Sequence, residues 1–281
     1  MARKPVKESF ELSDWRLVSS GAEDGATSMS VDESILEAVA HQQSPSTLKI
    51  SGWKPNFLSI GLDQPWDVVD EAACSEKGWD IVRRPTPGRA ILHIDGLSVC
   101  VTINSSDPRA AGSGADQFDR VARCLKFALK AMGLDADRSQ PYYEDRGPSG
   151  KAFYDGRSDY QVMVGGRKLF CGAILSNESA VMIQCTLPLF GDIKRIAGVL
   201  NFDLPGERLA LTARIGYRAA TLESLLGVQP DVDEIASYLQ DGFIKGLDVS
   251  LKERGLTDLE ITRAATLRAA KYSNTNWTKR T

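Results

Sequence analysis

Residues 160–187 read YQVMVGGRKLFCGAILSNESAVMIQCTL, and this stretch sets the class of the fold. It contains three consecutive runs typical of β-strands, 160–164, 168–175 and 180–187. Gly165-Gly166 suits a two-residue hairpin turn between the first two runs, and Asn177 stands in the second turn. The pattern therefore predicts three neighbouring antiparallel strands.

Further strand and helix patterns surround this stretch on both sides. Strand-like runs precede it at 47–51, 57–62, 79–83, 90–94 and 97–103. Apolar residues at helical spacing predict helices at 28–41, 68–77, 117–132, 193–200, 222–226, 232–246 and 259–272. Because strands cluster in the middle and do not alternate regularly with helices, we expect an α+β fold. It would have a mixed sheet with flanking helices and a helical C-terminal segment.

Composition excludes several classes of function. The chain has 281 residues, 42% of them hydrophobic, and a net charge of −3, without the basic excess of a nucleic-acid binder. No apolar run approaches a membrane span, and none of signal-peptide length follows the basic N-terminus, so we expect a cytoplasmic protein. Five scattered cysteines and two histidines predict neither a disulfide framework nor a metal site.

The first candidate site is the stretch RRPTPGRAILH at 83–93, which joins two predicted strands by a Pro/Gly turn. Arg83, Arg84 and Arg89 could clamp a carboxylate or phosphate, because a guanidinium binds such anions through two parallel hydrogen bonds. His93 ends the stretch. A basic surface hairpin would show the same residue types, so composition alone leaves both interpretations open.

The second candidate site is GGRKLFCGA at 165–173. Lys168 lies near the start of a strand among small residues, where it could reach an anionic or acyl intermediate, although many strand lysines are simply solvated. Gly172 within the strand indicates close approach by a ligand or another backbone.

These two stretches resemble the lipoate–protein ligase and octanoyltransferase family, which is related to biotin–protein ligases. The stretch at 83–93 is similar to the acyl-binding signature of that family, and VGGRKL at 164–169 to the segment with its invariant lysine. SMSVDE at 28–33, the GWKP turn at 52–55 and KY…WT near the C-terminus also fit. The resemblance spans roughly residues 15–280, and biotin ligation fits less well.

The resemblance implies an apolar tunnel for the acyl chain and attachment of a lipoyl or octanoyl group to a carrier-domain lysine. The implied carrier is a glycine cleavage H protein or the E2 component of a 2-oxoacid dehydrogenase. Ligases of the family activate the free acid with ATP and Mg²⁺, whereas transferases take octanoyl from acyl carrier protein through a cysteine thioester.

By the same resemblance, Lys168 is the catalytic lysine. It would neutralise a phosphate or the developing oxyanion. The residues that the resemblance assigns to substrate binding are Arg83, Arg84, Thr86, Gly88, Arg89, His93, Asp159, Gly172 and Ala173.

Some signature positions depart from the family pattern. Ala152 stands before a phenylalanine where the transferase branch has its nucleophilic cysteine, so either the mechanism differs or the alanine replaces a nucleophile. Proline at position 87 replaces a glycine of the signature turn. Cys171 and Cys185 have entered neighbouring signature segments, and either could be a displaced nucleophile or a small packing residue.

Three interpretations follow. The missing cysteine, together with GRSD at 156–159, favours an ATP-dependent ligase, and the signature around Arg89 favours an octanoyltransferase. The alternative is a catalytically diverged paralogue that binds an acyl ligand or a lipoylated partner without turnover. We expect a catalytic domain at 15–228 with a helical extension at 229–281 packed on it.

Overall fold

The computed structural model describes residues 8–137, 150–155, 158 and 160–280. Eight strands form the larger sheet in the order β11-β1-β2-β6-β10-β9-β8-β7. Their bounds are β1 Ser13–Glu23, β2 Thr47–Trp53, β6 Gly96–Asn104, β7 Ala136–Asp137, β8 Gln161–Val164, β9 Arg167–Ser176, β10 Ala180–Pro188 and β11 Val249–Glu253. The smaller sheet has the order β4-β3-β5, with β3 Phe57–Ile60, β4 Asp80–Arg83 and β5 Ile91–His93.

Helices cover both faces of the larger sheet. They are α1 Gly25–Ala40, α2 Glu71–Glu76, α3 Gly114–Ala131, α4 Pro205–Arg218, α5 Leu222–Leu226, α6 Val232–Leu247, α7 Asp258–Leu267 and α8 Thr275–Thr278, with a π-helical turn at Arg268–Tyr272. Segments of 3₁₀-helix lie at Trp66–Val68, Pro108–Ala110 and Ile193–Val199. None of the described helices is long and apolar enough to cross a membrane.

The central strands β2, β6, β10 and β9 have two faces of different character. One face carries Leu48, Val99 and Ile183, which pack with α3 and α6 in the largest buried apolar cluster. The opposite face lies towards α1 and the smaller sheet, and it is polar in part, since Lys49 and Gln184 project from it. Because side chains alternate along each strand, the register decides which residues share this second face.

The α+β fold with a mixed sheet and flanking helices is confirmed. The three antiparallel strands expected at 160–187 are present as β8, β9 and β10, and the helix expected at 117–132 is α3. The sequence analysis did not identify β1, β11 or α4. Strand β1 buries four consecutive residues, Trp15 to Val18, and therefore shows no simple alternation.

The segment expected to be a helical extension, 229–281, contains α6, α7 and α8, and it also contains one strand. Strand β11 is a short edge strand with a single buried residue, Val249, so its sequence gives little periodic signal. It pairs in parallel with β1, more than 230 residues away in the chain. The division of the chain at residue 228 stays a prediction.

Helices α3 and α6 approach each other closely at two glycines of α6. A Cβ atom at Gly242 would lie 2.5 Å from the carbonyl oxygen of Cys124 and 3.0 Å from the side chain of Ala128. We expect Gly242→Ala to lower the free energy of unfolding by about 1–3 kcal/mol, because the added methyl forces these packed helices apart. Urea unfolding would measure it. The control is Gly206→Ala, whose Cβ meets nothing within 4 Å. Equal stability of the two variants would contradict this account of the packing.

Candidate active site

Arg84 holds the turn that joins β4 to β5. Its Nη2 donates to the carbonyl oxygens of Pro87 (3.0 Å) and Arg89 (2.9 Å), and its Nη1 donates to Ser59 Oγ (3.2 Å). Burial lowers the pKa of Arg84 to about 9. The Arg84 guanidinium thus fixes the shape of the turn from beneath.

Gly88 occupies the tip of this turn with a φ of +112°, a conformation that favours glycine. The backbone of the turn also lies against Gly61, where a Cβ atom would be 1.8 Å from the Gly88 carbonyl oxygen. Pro87 has no backbone N–H, so the turn offers a ligand one donor fewer than a Gly-Gly turn would.

Arg83 contacts the C-terminal segment. Its guanidinium donates to the carbonyl oxygens of Gly61, Leu62, Gln64, Thr278 and Arg280, at distances from 2.6 to 3.1 Å. In return, the Arg83 carbonyl accepts from Trp277 Nε1 at 2.9 Å. The structure therefore places the Arg83 side chain among backbone carbonyls of the loop after β3 and of the C-terminal residues, apart from Lys168.

His93 is enclosed by aromatic rings. It stacks on Phe57 with ring centroids 4.3 Å apart and meets Trp53 edge-on at 4.9 Å. Burial, with a smaller effect from the Arg84 cation, lowers the pKa of His93 to about 3. His93 Nε2 lies 2.8 Å from Ser59 Oγ, the same hydroxyl that accepts from Arg84. Which of these two groups donates depends on the tautomer of the neutral ring.

A buried polar chain connects the turn to the larger sheet. Thr86 Oγ1 donates to Gln184 Oε1 (2.7 Å), and Gln184 Nε2 donates to Asp32 Oδ2 (2.7 Å). Lys49 Nζ then bridges Asp32 (3.0 Å) and Glu23 (2.6 Å). The two carboxylates raise the pKa of Lys49 although burial opposes this, so the lysine is a cation.

The sequence analysis did not identify Asp32 and Lys49 as part of the site. The signal that could have found them is a charged residue flanked by apolar ones, as in Leu48-Lys49-Ile50, because such a residue is buried only with a partner.

Lys168 lies on the same sheet face as Lys49 and Gln184, because a β-bulge in β9 places it there. Phe170 pairs with Val162, and Lys168 pairs with Met163, so β9 has one extra residue, Leu169. Lys168 is fully buried. Burial lowers its pKa, and the cations of Arg89 and Arg218 lower it further, whereas Cys171 and Asp155 act in the opposite direction.

The two candidate cysteines lie on opposite faces of the sheet. Cys171 pairs with Thr186 and shares the face of Lys168, while Cys185 pairs with Gly172 and faces α3. Burial raises the pKa of Cys171 to about 12, although Lys168 lowers it, and burial also raises the pKa of Cys185. Both thiols are therefore protonated at neutral pH.

Gly172 gives room to an aromatic side chain. A Cβ atom there would lie 2.4 Å from Phe118 Cε2, on the α3 side. The structure therefore separates Gly172 and Cys185 from Lys168. Ala173 is on the Lys168 face, paired with Gln184.

Ala152 is completely buried beside the turn. It forms a parallel bridge with Ala90 and packs in one apolar cluster with Phe153, Tyr154 and Cys171. Asp155, three residues on, accepts from Arg214 Nε at 2.7 Å and from Arg218, and thereby attaches α4 to this segment. Asp159, predicted to bind substrate, lies outside the described residues.

Comparisons with known proteins agree with this fold. Residues 24–244 match the family model described as "Lipoyl protein ligase A/B catalytic domain". The octanoyltransferase LipM of Kyrpidia tusciae is 32% identical over 274 residues, which cover 96% of this chain and all of that protein. The chain belongs to the lipoyl protein ligase A/B catalytic domain family.

Two solved structures have the same fold. One is a bipartite lipoate protein ligase, studied with its E2 lipoyl domain, from Thermoplasma acidophilum (TM-score 0.81, 20% identity, 95% of this chain and 96% of that one). The other is a lipoate-protein ligase A bound with ATP (TM-score 0.75, 21% identity, 95% and 98% of the chains).

We expect His93 to make stability depend on pH. A histidine with a pKa of about 3 when folded and about 6.5 when unfolded stabilises the fold fully above pH 6.5. That contribution is lost as the pH falls from 6.5 towards 3, at up to about 1.4 kcal/mol per pH unit. The His93→Gln variant should lose stability less steeply than the wild type over this range, as measured by urea unfolding.

The exposed His41 provides the matched control. His41→Gln should show the same dependence of the free energy of unfolding on pH as the wild type. If His93→Gln also shows the dependence of the wild type, His93 is not the group responsible.

Proposed function

We propose that the protein attaches an octanoyl or lipoyl group to one lysine of a lipoyl-carrier domain. The observation that carries this proposal is Lys168, a buried lysine on the polar sheet face beside Arg89, in the strand that resembles the lysine segment of the family. A cation held in a dry site stabilises the negative charge that develops on the acyl oxygen during amide formation.

We further propose that the group passes directly from the donor to the carrier lysine. Ala152 offers no thiol at the position of the transferase nucleophile, and the buried thiol of Cys171 has a pKa of about 12. In a direct step the carrier amine forms the C–N bond, the bond to the donor breaks, and the leaving group departs with its electron pair. The amine proton passes to water.

The acyl donor is either an acyl-adenylate or the octanoyl form of acyl carrier protein. In the first case the substrates are lipoate or octanoate with ATP and Mg²⁺, and Lys168 and Arg89 supply positive charge for the phosphate. Arg83 and Arg84 take a structural part in this scheme, since their guanidiniums donate to backbone carbonyls. The carrier is of the glycine cleavage H or dehydrogenase E2 type, the location is the cytoplasm, and residues 15–228 form the catalytic domain.

Intact mass of a glycine cleavage carrier domain tests the proposal. One reaction contains the protein with lipoate, ATP and Mg²⁺, and a parallel reaction contains octanoyl carrier protein without ATP. A mass increase only with ATP identifies a ligase, and an increase only with octanoyl carrier protein identifies a transferase. An unmodified carrier in both reactions, repeated with an E2 lipoyl domain, would overturn the proposed activity.

Lys168→Met should lower the rate of transfer at least 100-fold, because it removes one group that stabilises the oxyanion. The variant should remain folded. Since burial lowers the pKa of Lys168, keeping this side chain charged in the folded state costs stability, and removing the charge relieves that cost at neutral pH. Carrier mass and urea unfolding measure the two effects, with the half-exposed Lys194→Met as control. Full activity of Lys168→Met would refute the catalytic role.

The second candidate function is acyl or partner binding without turnover. Ala152 favours it, because the residue has no exposed surface and sits where the transferase branch has its nucleophile. If the surrounding site still binds a donor productively, Ala152→Cys should form a covalent octanoyl thioester with octanoyl carrier protein, detected by intact mass. The wild type and Ala110→Cys, a buried site elsewhere, should not. Absence of the adduct, with no carrier modification by the wild type, would favour the non-catalytic candidate.

A further inference from the structure

Asp155 is a buried carboxylate that binds two cations of α4. Arg214 donates to both carboxylate oxygens, from Nε to Oδ1 at 2.7 Å and from Nη2 to Oδ2 at 3.0 Å. Arg218 Nη1 lies 3.3 Å from Oδ1 and also donates to the backbone carbonyl oxygen of Asp155. The main chain packs against the carboxylate as well, since a Cβ atom at Gly150 would lie 2.1 Å from Oδ2. Asp155 is only 2% exposed, and a carboxylate buried in this way is stable only while it keeps its cationic partners.

The end of α4 that carries Arg218 also lies against the strand of Lys168. Ala219, the next residue, forms a parallel bridge with Lys168. The backbone N–H of Ala220 donates to the Lys168 carbonyl oxygen at 2.9 Å. This end of α4 is therefore held at two points, by Asp155 through the side chain of Arg218 and by β9 through the backbone that follows it.

The segment that carries Asp155 is attached to the turn between β4 and β5. The N–H of Phe153 donates to the Ala90 carbonyl oxygen at 2.9 Å, and the N–H of Ala90 donates to the Lys151 carbonyl oxygen at 3.2 Å. Ala90 follows Arg89, the cation of the turn that acts on Lys168. The segment of Asp155 thus connects the turn with α4, and these two stretches supply the arginines that act on Lys168.

The charged and titratable groups around Lys168 come from each of these elements. Burial has the largest effect on the pKa of Lys168 and lowers it, and Arg89 and Arg218 lower it further. Cys171 and Asp155 raise it. The Cys171 thiol is protonated at neutral pH, because burial raises its pKa to about 12. Two further neighbours are uncharged at neutral pH, Met163 on β8 and the buried phenol of Tyr154. Among these groups Asp155 therefore supplies the negative charge that favours the cationic form of the lysine.

We infer that Asp155 is a positioning residue for the transfer reaction, which holds the end of α4 beside Lys168 and offsets the positive charge of Arg218 there. The carboxylate acts through Arg218 and through its field at Lys168, so that Lys168 remains a cation where the acyl oxygen becomes negative. The inference rests on the proposed function for the role of Lys168.

NMR titration of the protein with ¹³C-labelled lysine tests the inference, and the Lys168 signal is assigned by its absence in Lys168→Met. Asp155→Asn should lower the pKa of Lys168 by about 0.5–1 unit, because the amide keeps an acceptor oxygen but has no negative charge. Arg218→Gln should raise the pKa by a similar amount, because it removes a nearby cation. Arg208→Gln, which removes a cation from an exposed position of α4, is the control and should leave the pKa unchanged.

The opposite signs distinguish this role from a purely structural one. If Asp155 only holds the fold together, both Asp155→Asn and Arg218→Gln loosen the site and admit water, and the pKa of Lys168 rises towards its ordinary value in both variants. A rise in Asp155→Asn, or no change, would overturn the inference. Should this variant not fold, Asp155→Asn combined with Arg214→Gln provides the same test, because it removes the carboxylate together with one of its cationic partners. The pKa should again fall.

The rate of carrier modification provides the second readout. On the alkaline side of the pH profile, where Lys168 loses its proton, Asp155→Asn should lower kcat about 3- to 10-fold, the factor that a pKa shift of about 0.5–1 unit gives. The KM for the carrier domain should stay within about twofold of the wild type, since Asp155 is buried away from the carrier. Asp155→Glu keeps the charge and should recover most of the lost rate. Equal loss in Asp155→Glu and Asp155→Asn would contradict the inferred role of the charge.

The inference and the proposed function fail in different ways. Carrier modification together with an unchanged pKa of Lys168 in Asp155→Asn would sustain the proposed function and reject the role of Asp155. The opposite pKa shifts in Asp155→Asn and Arg218→Gln, without carrier modification by the wild type, would sustain the action of Asp155 on Lys168 and reject the catalytic function.

Discussion

The pairing of β6, β10 and β9 is the constraint on which the site depends. It places Gln184, Thr186 and Cys171 on one face, and the extra residue Leu169 keeps Lys168 on that face as well. A slip of one residue would move the lysine to the apolar side against α3. The turn at Gly165-Gly166, both with positive φ, fixes this register.

Three buried cations of the described chain, Lys49, Arg83 and Arg84, have structural partners. Arg83 and Arg84 donate to backbone carbonyls, so their charge holds a turn and the C-terminal segment in place. Lys49 has two carboxylates as partners. Removing one partner from such a buried ion pair costs more stability than the intact pair contributes. These residues therefore have a structural role. Under the proposed function, Lys168 and Arg89 supply the positive charge near the donor.

The sequence predicted the class of the fold because its strands and α3 have strong periodic patterns. It also indicated two candidate site segments, since both contain cations next to small residues and turns, and their part in the site stays a prediction. The roles within the first segment could not be predicted from residue types. Arg83 and Arg84 are adjacent, but strand alternation directs them to different surroundings, one at the C-terminal segment and one under the turn. The buried polar chain through Asp32 and Lys49 could not be predicted either, because it depends on contacts between elements that are distant in the sequence.

The cysteines show how topology changes the meaning of a sequence motif. Cys171 and Cys185 appear equivalent in sequence, since each stands in a signature segment near the lysine. In the sheet they differ by one position of register, and this difference places Cys185 behind the sheet, against the α3 face. Cys171 remains on the site face, yet the same apolar enclosure that packs Ala152 and Tyr154 keeps its thiol protonated. A thiolate needs solvent or a strong cationic field, and Lys168 alone does not outweigh burial there. This arrangement is consistent with the proposed direct transfer, in which the site stabilises charge on a bound acyl group.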